Sequence, residues 1–256
     1  MWPRWNWRHG TLLGVVGLGL VLPFFLDRIP QDSLYHSFAD SRPFVGIPNF
    51  LNVVSNVFFI LVGIIGLLAS HSRGGVSVSA HIGTAYKLFF GGVVLIGVGS
   101  AYYHVNPNNA TLVWDRLPMT VSFMAFLTIV ISDCVSPKVG KVLLWPLIGI
   151  GVVSIGYWYV TELWGVGDLR PYVVVQFLPI FLIPVMLILF GTRSLLAPFL
   201  WATLGTYLLA KVVEYFDGEI FFVTEVISGH SLKHVIAALA IAWVLLACQR
   251  IAPKCE

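Results

Sequence analysis

Residues 172–190 read YVVVQFLPIFLIPVMLILF, an apolar stretch without one charged side chain. A helix rises about 1.5 Å per residue, so a run of this length can cross the roughly 30 Å hydrocarbon layer of a bilayer. Working outward, seven more segments look alike: 11–26, 47–69, 82–104, 112–133, 141–160, 196–216 and 231–249. Composition agrees, with 58% hydrophobic and 11% charged residues. A soluble domain is about 25% charged. Charge this sparse cannot clothe a soluble globule, whereas a lipid-facing surface needs little of it. The expected fold is an all-α, polytopic membrane helical bundle. No strand alternation of the barrel type, internal repeat or low-complexity linker interrupts it, so residues 1–256 read as a single membrane domain.

The first segment could be confused with a signal peptide, because Arg4 and Arg8 precede it. It ends in Phe24-Phe25-Leu26-Asp27, without a small-residue cleavage pattern, and reads as a retained helix. Lys and Arg in short loops set orientation. With the N-terminus inside, the inner face collects Arg4, Arg8, Arg73, Lys87, Lys138, Lys141, Arg193, Arg250 and Lys254. The outer face receives Arg28, Arg42, Arg116, Arg170, Lys211 and Lys233. The excess places both termini on the cytoplasmic side. Acidic residues, except Asp133 and Glu256, fall toward the outer face, where they suggest a polar site. Net charge is only +3 and the basic residues are scattered, which argues against a nucleic-acid partner. Cys134, Cys248 and Cys255 lack metal-ligand spacing and sit at inner helix ends, where disulfides are not expected.

Ionisable side chains within a bilayer are costly and mark cavities or partners. Three helix ends at one depth carry them: Ser100-Ala101-Tyr102-Tyr103-His104, then Trp114-Asp115-Arg116, then Gly229-His230-Ser231-Leu232-Lys233-His234. Residues four apart share a helix face, so Ser100 and His104 point together, as do His230 and His234. Two imidazoles on one face can ligate one zinc ion. A third from another helix leaves a fourth position open for water, the mark of a catalytic zinc. Such a water loses a proton near neutral pH. Asp115 could accept or orient that proton, and Ser100 could donate to the oxyanion of an attacked carbonyl. The plain reading of a lone membrane-end histidine is an interfacial or core residue. HxxxH by itself is a weak signal, and agreement in depth with Ser100, His104 and Asp115 is what strengthens it.

At these residues the chain resembles the alkaline ceramidase family, part of a superfamily of seven-helix membrane hydrolases that includes the progestin and adiponectin receptors. The pattern is a Ser, a His four residues on, an Asp eleven further, and HxxxH opening the last helix. Ser100, His104, Asp115, His230 and His234 match each spacing. Asn52-Val53-Val54-Ser55-Asn56 matches the Asn-x-x-Ser-Asn stretch of the first shared helix. The resemblance implies a seven-helix core, here 47–249, with 11–26 as an extra N-terminal helix. It implies zinc on His104, His230 and His234, with Asp115 as proton acceptor and Ser100 as oxyanion or water partner. The implied reaction hydrolyses ceramide to sphingosine and a fatty acid. Eukaryotic members also bind calcium through an acidic segment before the first shared helix. Here that segment offers Asp40 and Asn49, but carboxylates are fewer and Arg42 intrudes, so an Asp40–Arg42 ion pair is the favoured reading.

Other features read blandly. The loop Glu162–Pro171 reads as a connector rather than a lid. Lys211 and Glu214 read as an interfacial pair, and Asp217 and Glu219 as the start of a short outer loop. Lys233 flanks the proposed ligands and would disfavour their protonation or hold an anionic product. Tyr102, Tyr103 and Trp114 read as an interfacial aromatic belt. Two rival functions stand beside the lipid amidase: a receptor-like lipid-binding protein without hydrolase activity, and a transporter. Transporters often show inverted repeats or interrupted helices, which are not evident here.

Overall fold

The computed structural model describes residues 5–71, 80–192 and 196–251. Arg4, Arg73, Arg193, Lys254 and Cys255 lie outside them. The expected segments fold as helices: α1 (Trp7–Val21), α2 (Phe50–Val54), α3 (Val57–His71), α4 (Ala80–Val105), α5 (Asn109–Cys134), α6 (Pro137–Leu163), α7 (Arg170–Phe190), α8 (Ala197–Tyr215), α9 (Asp217–Thr224) and α10 (Gly229–Ile251). Among the described residues there is no β-strand, only an isolated bridge between Phe44 and Ile47.

Seven stretches within the described residues are long and apolar enough to cross a membrane: Trp7–Phe25, Phe50–Ser70, Ile82–Val105, Asn109–Cys134, Pro137–Leu163, Arg170–Phe190 and Gly229–Arg250. The expected segment 196–216 forms α8, which is not among them. Its Lys211 and Glu214 line an interior cavity, so the helix trades apolarity for polar groups turned inward.

Local sequence explains where the helices start. Ser136 caps α6 with Pro137 as its first residue, a position where the missing N–H costs nothing. The side chain of Asn108 accepts from the backbone N–H groups of Ala110 and Thr111, and Thr111 completes a capping box. This cap lets α5 begin with only three residues between it and the end of α4, so the two helices form a tight antiparallel hairpin. They approach closely because Gly99 faces Trp114, whose carbonyl a Cβ there would strike.

Helices α3, α4, α5, α7, α8 and α10 surround the interior, and α6 packs outside α5 and α7. Among the seven spans, α5 is the most buried and the one that contains α1 the least. Helix α1 leans on α7, with Gly19 against Leu178. One apolar core runs along the bundle from Phe90 and Val130 to Met186 and Leu200, and takes in Cys134 and Cys248. Helices α7 and α8 touch only slightly, which leaves a seam on that flank.

The stretch before α2 is stapled to the site end of the bundle. Arg42 grips both carboxylate oxygens of Asp40, at 2.8 and 2.9 Å, and donates to the carbonyls of Glu225 and Val226. The favoured ion pair is thus present, and Arg42 occupies the place a cation would need on Asp40. The Asn49 amide is turned to the carbonyl of His104 instead. The hydrogen bonds from Arg42 hold the Asp40 carboxyl below its ordinary value of 3.8. A group with a lowered folded value contributes stability that is full above 3.8 and is lost as pH falls through the folded value. Asp40→Asn is therefore expected to lower the apparent Tm by about 2–4 °C at pH 7, the effect of ~1 kcal/mol in a chain of this size. The gap to wild type should close as the pH drops below 3.8. Thermal melts in detergent across pH check this.

Candidate active site

The site sits at the end of the bundle where α4 finishes and α5 and α10 begin. Four-residue spacing puts His230 and His234 on one face of α10, and α4 delivers His104 opposite them. Their ligand atoms all lie within 4.8 Å of one another. The ring centroids stand 4.9 Å apart for His104 and His230, and 5.1 Å for each of the other two pairs. All three are buried, at 1%, 7% and 4% exposure. The structure therefore brings together the three histidines singled out in the sequence.

The residues present fit a metal ion. The Nδ1 of His104 is buried without a hydrogen-bond partner, which is expensive unless something else occupies it. His234 is oriented by a relay. The hydroxyl of Ser55 donates to the carbonyl of Asn52 at 3.3 Å, so its oxygen can accept from Nδ1 of His234, 2.8 Å away. That bond leaves Nε2 of His234 as the ligand nitrogen, the usual way a neighbouring group selects a histidine tautomer. Three imidazoles are the donor set of a catalytic zinc. Ser55→Ala is expected to weaken metal affinity or activity about 10- to 100-fold, the usual cost of losing such a partner. Metal titration of the purified variant would measure it.

The sequence showed the Asn52–Asn56 stretch but not its task. Asn52 is fully buried and joins three segments. Its amide nitrogen donates to the carbonyl of Asp40 at 3.0 Å, and its oxygen accepts from Ser231 at 2.6 Å. Within a membrane an interhelical bond such as that between Ser231 and Asn52 contributes about 0.6 kcal/mol. Its larger effect here is to set the register of α2 against α10. Asp217 was read as part of a loop. It instead opens α9, accepts from the backbone N–H of His230 at 2.6 Å, and accepts from that of Ala39 at 3.0 Å. A carboxylate at the start of α10 also suits the positive end of that helix. Phe38, which the sequence reading did not single out, packs edge-on to His104 and tilted against His230, with centroids 4.7 and 4.6 Å away.

Ser100 is buried and hydrogen-bonds the carboxylate of Asp115. Both line a cavity of ≈ 280 Å³, together with His234, Arg116, Lys211, Glu214 and Lys233. Lys211 donates to Glu214 at 2.8 Å, and Lys233 pairs with the other oxygen of the same carboxylate. The Lys211–Glu214 pair thus lines a cavity rather than snorkelling at the bilayer surface. Below it lies an apolar cavity of ≈ 120 Å³, lined by Phe89, Val93, Phe126, Ile183 and Leu204 among others. Phe59, Ile96, Met119, Tyr207 and Ala237 border both, so the two are neighbouring chambers.

The expected aromatic belt is corrected at one position. Tyr102 and Trp114 are exposed, but Tyr103 is buried with its hydroxyl 2.9 Å from Nδ1 of His36. One step along a helix turns about 100°, so Tyr103 faces inward beside His104 while Tyr102 faces out. The stretch after Glu162 joins α6 to α7 and is tied to the segment before α2. Glu162 accepts from the backbone of Gln31, and Leu169 donates to the carbonyl of Ile29.

The family model described as Ceramidase matches residues 45–216, about two thirds of the chain. The match spans Ser100, His104 and Asp115 and ends before His230 and His234. No curated protein matches the chain.

Proposed function

From its place in the ceramidase family, to which this chain belongs and which implies a lipid amidohydrolase, we propose that the protein hydrolyses the amide bond of a membrane lipid, most simply ceramide, to an amine and a fatty acid. The observation that carries this reading is the convergence of His104, His230 and His234 beside a Ser100–Asp115 pair on one cavity wall. We assign the metal as zinc, held by those three histidines. When bound, it would supply Lewis acidity toward the scissile carbonyl and acidify the attacking water.

The protein's own groups do the rest. Asp115 takes the proton of the attacking water and returns it to the leaving nitrogen, so the amine departs neutral. Ser100 keeps Asp115 aimed at the reacting centre and turns its hydroxyl to the oxyanion as the carbonyl becomes tetrahedral. The acyl chain fills the apolar chamber bordered by Ile96 and Met119. The seam between α7 and α8 offers a way in from the bilayer. In this reading 47–249 is the hydrolase core and 11–26 an added helix, both termini are cytoplasmic, and the site faces outward.

The test is fatty-acid release from labelled ceramide by protein purified in detergent, with metal content measured alongside. Turnover that a chelator abolishes and zinc restores supports the reading. A protein that binds lipid tightly and carries metal, yet cleaves no lipid amide or ester, would instead be receptor-like.

A further inference from the structure

The apolar chamber beyond Ser100 and Asp115 has a floor. Going away from the histidines, its lining ends at Phe89 on α4, Phe126 on α5, Ile183 on α7, Thr203 on α8 and Ile241 on α10. Phe89 and Phe126 stack there, with ring centroids 5.4 Å apart and planes at 28°. One turn further, Tyr86, Val130, Met186, Leu200 and Val244 are buried in the packed core. An interior packed to this density has no room for an added chain. Two hydroxyls within the chamber are already engaged: Ser122 donates to the carbonyl of Phe89 at 3.2 Å, and Thr203 to that of Phe199 at 2.8 Å. The hydroxyl of Tyr207 stands at the border with the polar cavity. The lower chamber therefore offers a ligand shape and apolar contact.

Two helices measure its depth. Phe89 lies 11 residues before Ser100 on α4, and Phe126 lies 11 residues after Asp115 on α5. At about 1.5 Å per residue, each interval rises about 16 Å. An extended aliphatic chain, with bonds of about 1.52 Å at about 111°, advances about 1.25 Å per carbon. Its terminal methyl stops about 4 Å short of the floor rings, at van der Waals contact. That leaves room for about 10–12 carbons, counted from a carbonyl held at Ser100 and Asp115.

Resting on the amidohydrolase reading, we propose that the stacked rings of Phe89 and Phe126 set the acyl-chain length of the substrate, so that the protein takes lauroyl amides in preference to palmitoyl and longer ones. A lauroyl chain fills the chamber down to the rings. A palmitoyl or stearoyl chain carries several carbons too many. Those carbons must displace the floor or turn out through the seam between α7 and α8, where they give up the wall contacts of an extended chain. A hexanoyl chain stops well short and leaves the lower wall without partner atoms. The preference concerns the acyl side alone and leaves the amine side of the amide free.

The test uses ceramides that share a sphingosine base and carry a hexanoyl, octanoyl, decanoyl, lauroyl, myristoyl, palmitoyl or stearoyl chain. Each is presented at the same mole fraction in detergent micelles. The chain then passes from one apolar medium to another, so fit rather than hydrophobicity decides. Affinity for the intact, metal-loaded protein is read by competition with tritiated lauroyl ceramide, and fatty-acid release is followed in parallel. Wild type is expected to bind decanoyl and lauroyl ceramide best. Palmitoyl and stearoyl ceramide should bind about 10- to 100-fold more weakly, the range that overpacking an interior costs. Phe89→Ala removes a floor ring and should raise palmitoyl to the lauroyl level. Val93→Phe plants a ring one turn higher, about 6 Å nearer Ser100, and should move the optimum to hexanoyl or octanoyl. Wild type that binds none of the series, or binds palmitoyl and stearoyl as well as lauroyl, overturns the proposal, whether or not the variants fold. An optimum that stays put in a folded variant also overturns it. A length optimum that moves with the variants while nothing is hydrolysed upholds this inference and sinks the hydrolase reading. Hydrolysis at equal rates along the series does the reverse.

Discussion

Replacing His230 by Ala is expected to remove both bound metal and lipid amidase activity. His230 is one of three imidazoles whose ligand atoms lie within 4.8 Å of one another, and two cannot reproduce a three-nitrogen site. The loss should exceed the roughly 100-fold that marks the upper end for a mere supporting partner. Structural damage is a separate matter. The backbone N–H of His230, not its ring, holds Asp217, and the substitution leaves that bond in place. A folded His230→Ala protein without stoichiometric metal and without turnover is therefore the expected result. Full activity in that variant, measured by released fatty acid, would end the metal-centred account.

Asp115→Asn should separate chemistry from metal binding. Asp115 is not among the three grouped ligands, and it lines the cavity hydrogen-bonded to Ser100. An amide of the same shape can hold Ser100 but cannot take a proton. Activity should fall by about 10²–10⁴-fold, the range for a positioned general base, while metal content stays that of wild type. Metal analysis and single-turnover assays on one preparation read both quantities. A variant that loses its metal would recast Asp115 as a supporting or ligating group.

The two variants differ because one side chain is proposed to hold the metal and the other to move a proton. The converse holds for Ser55, which acts through His234. Its substitution should move metal affinity first and turnover only as a consequence.

Several features were legible before any coordinates. Long charge-poor runs announced the membrane bundle, since a helix that satisfies its own backbone groups is one of few structures a bilayer tolerates. Four-residue spacing within α4 and α10 announced shared faces for Ser100 with His104 and for His230 with His234. Asp40 and Arg42, two residues apart, were legible as a pair, and the structure joins them. Tyr103 was misread because a belt assignment uses depth alone, and depth does not say which way a side chain turns. Asp217 was misread because its partners, His230 and Ala39, come from distant stretches of chain.

By itself, the sequence determined the helices, their number to within one marginal span, and the residues able to do metal chemistry, because each depends on neighbours within a turn or two of chain. Packing alone decided that His104 meets the α10 histidines, that Ser55 orients His234, that Phe38 packs against the cluster, and that Phe89 stacks on Phe126. Those contacts join residues tens to hundreds of positions apart. Their geometry follows from how helices seat against one another, with Gly99 admitting α5 and Asn52 setting the register of α2 and α10, and no local spacing encodes it.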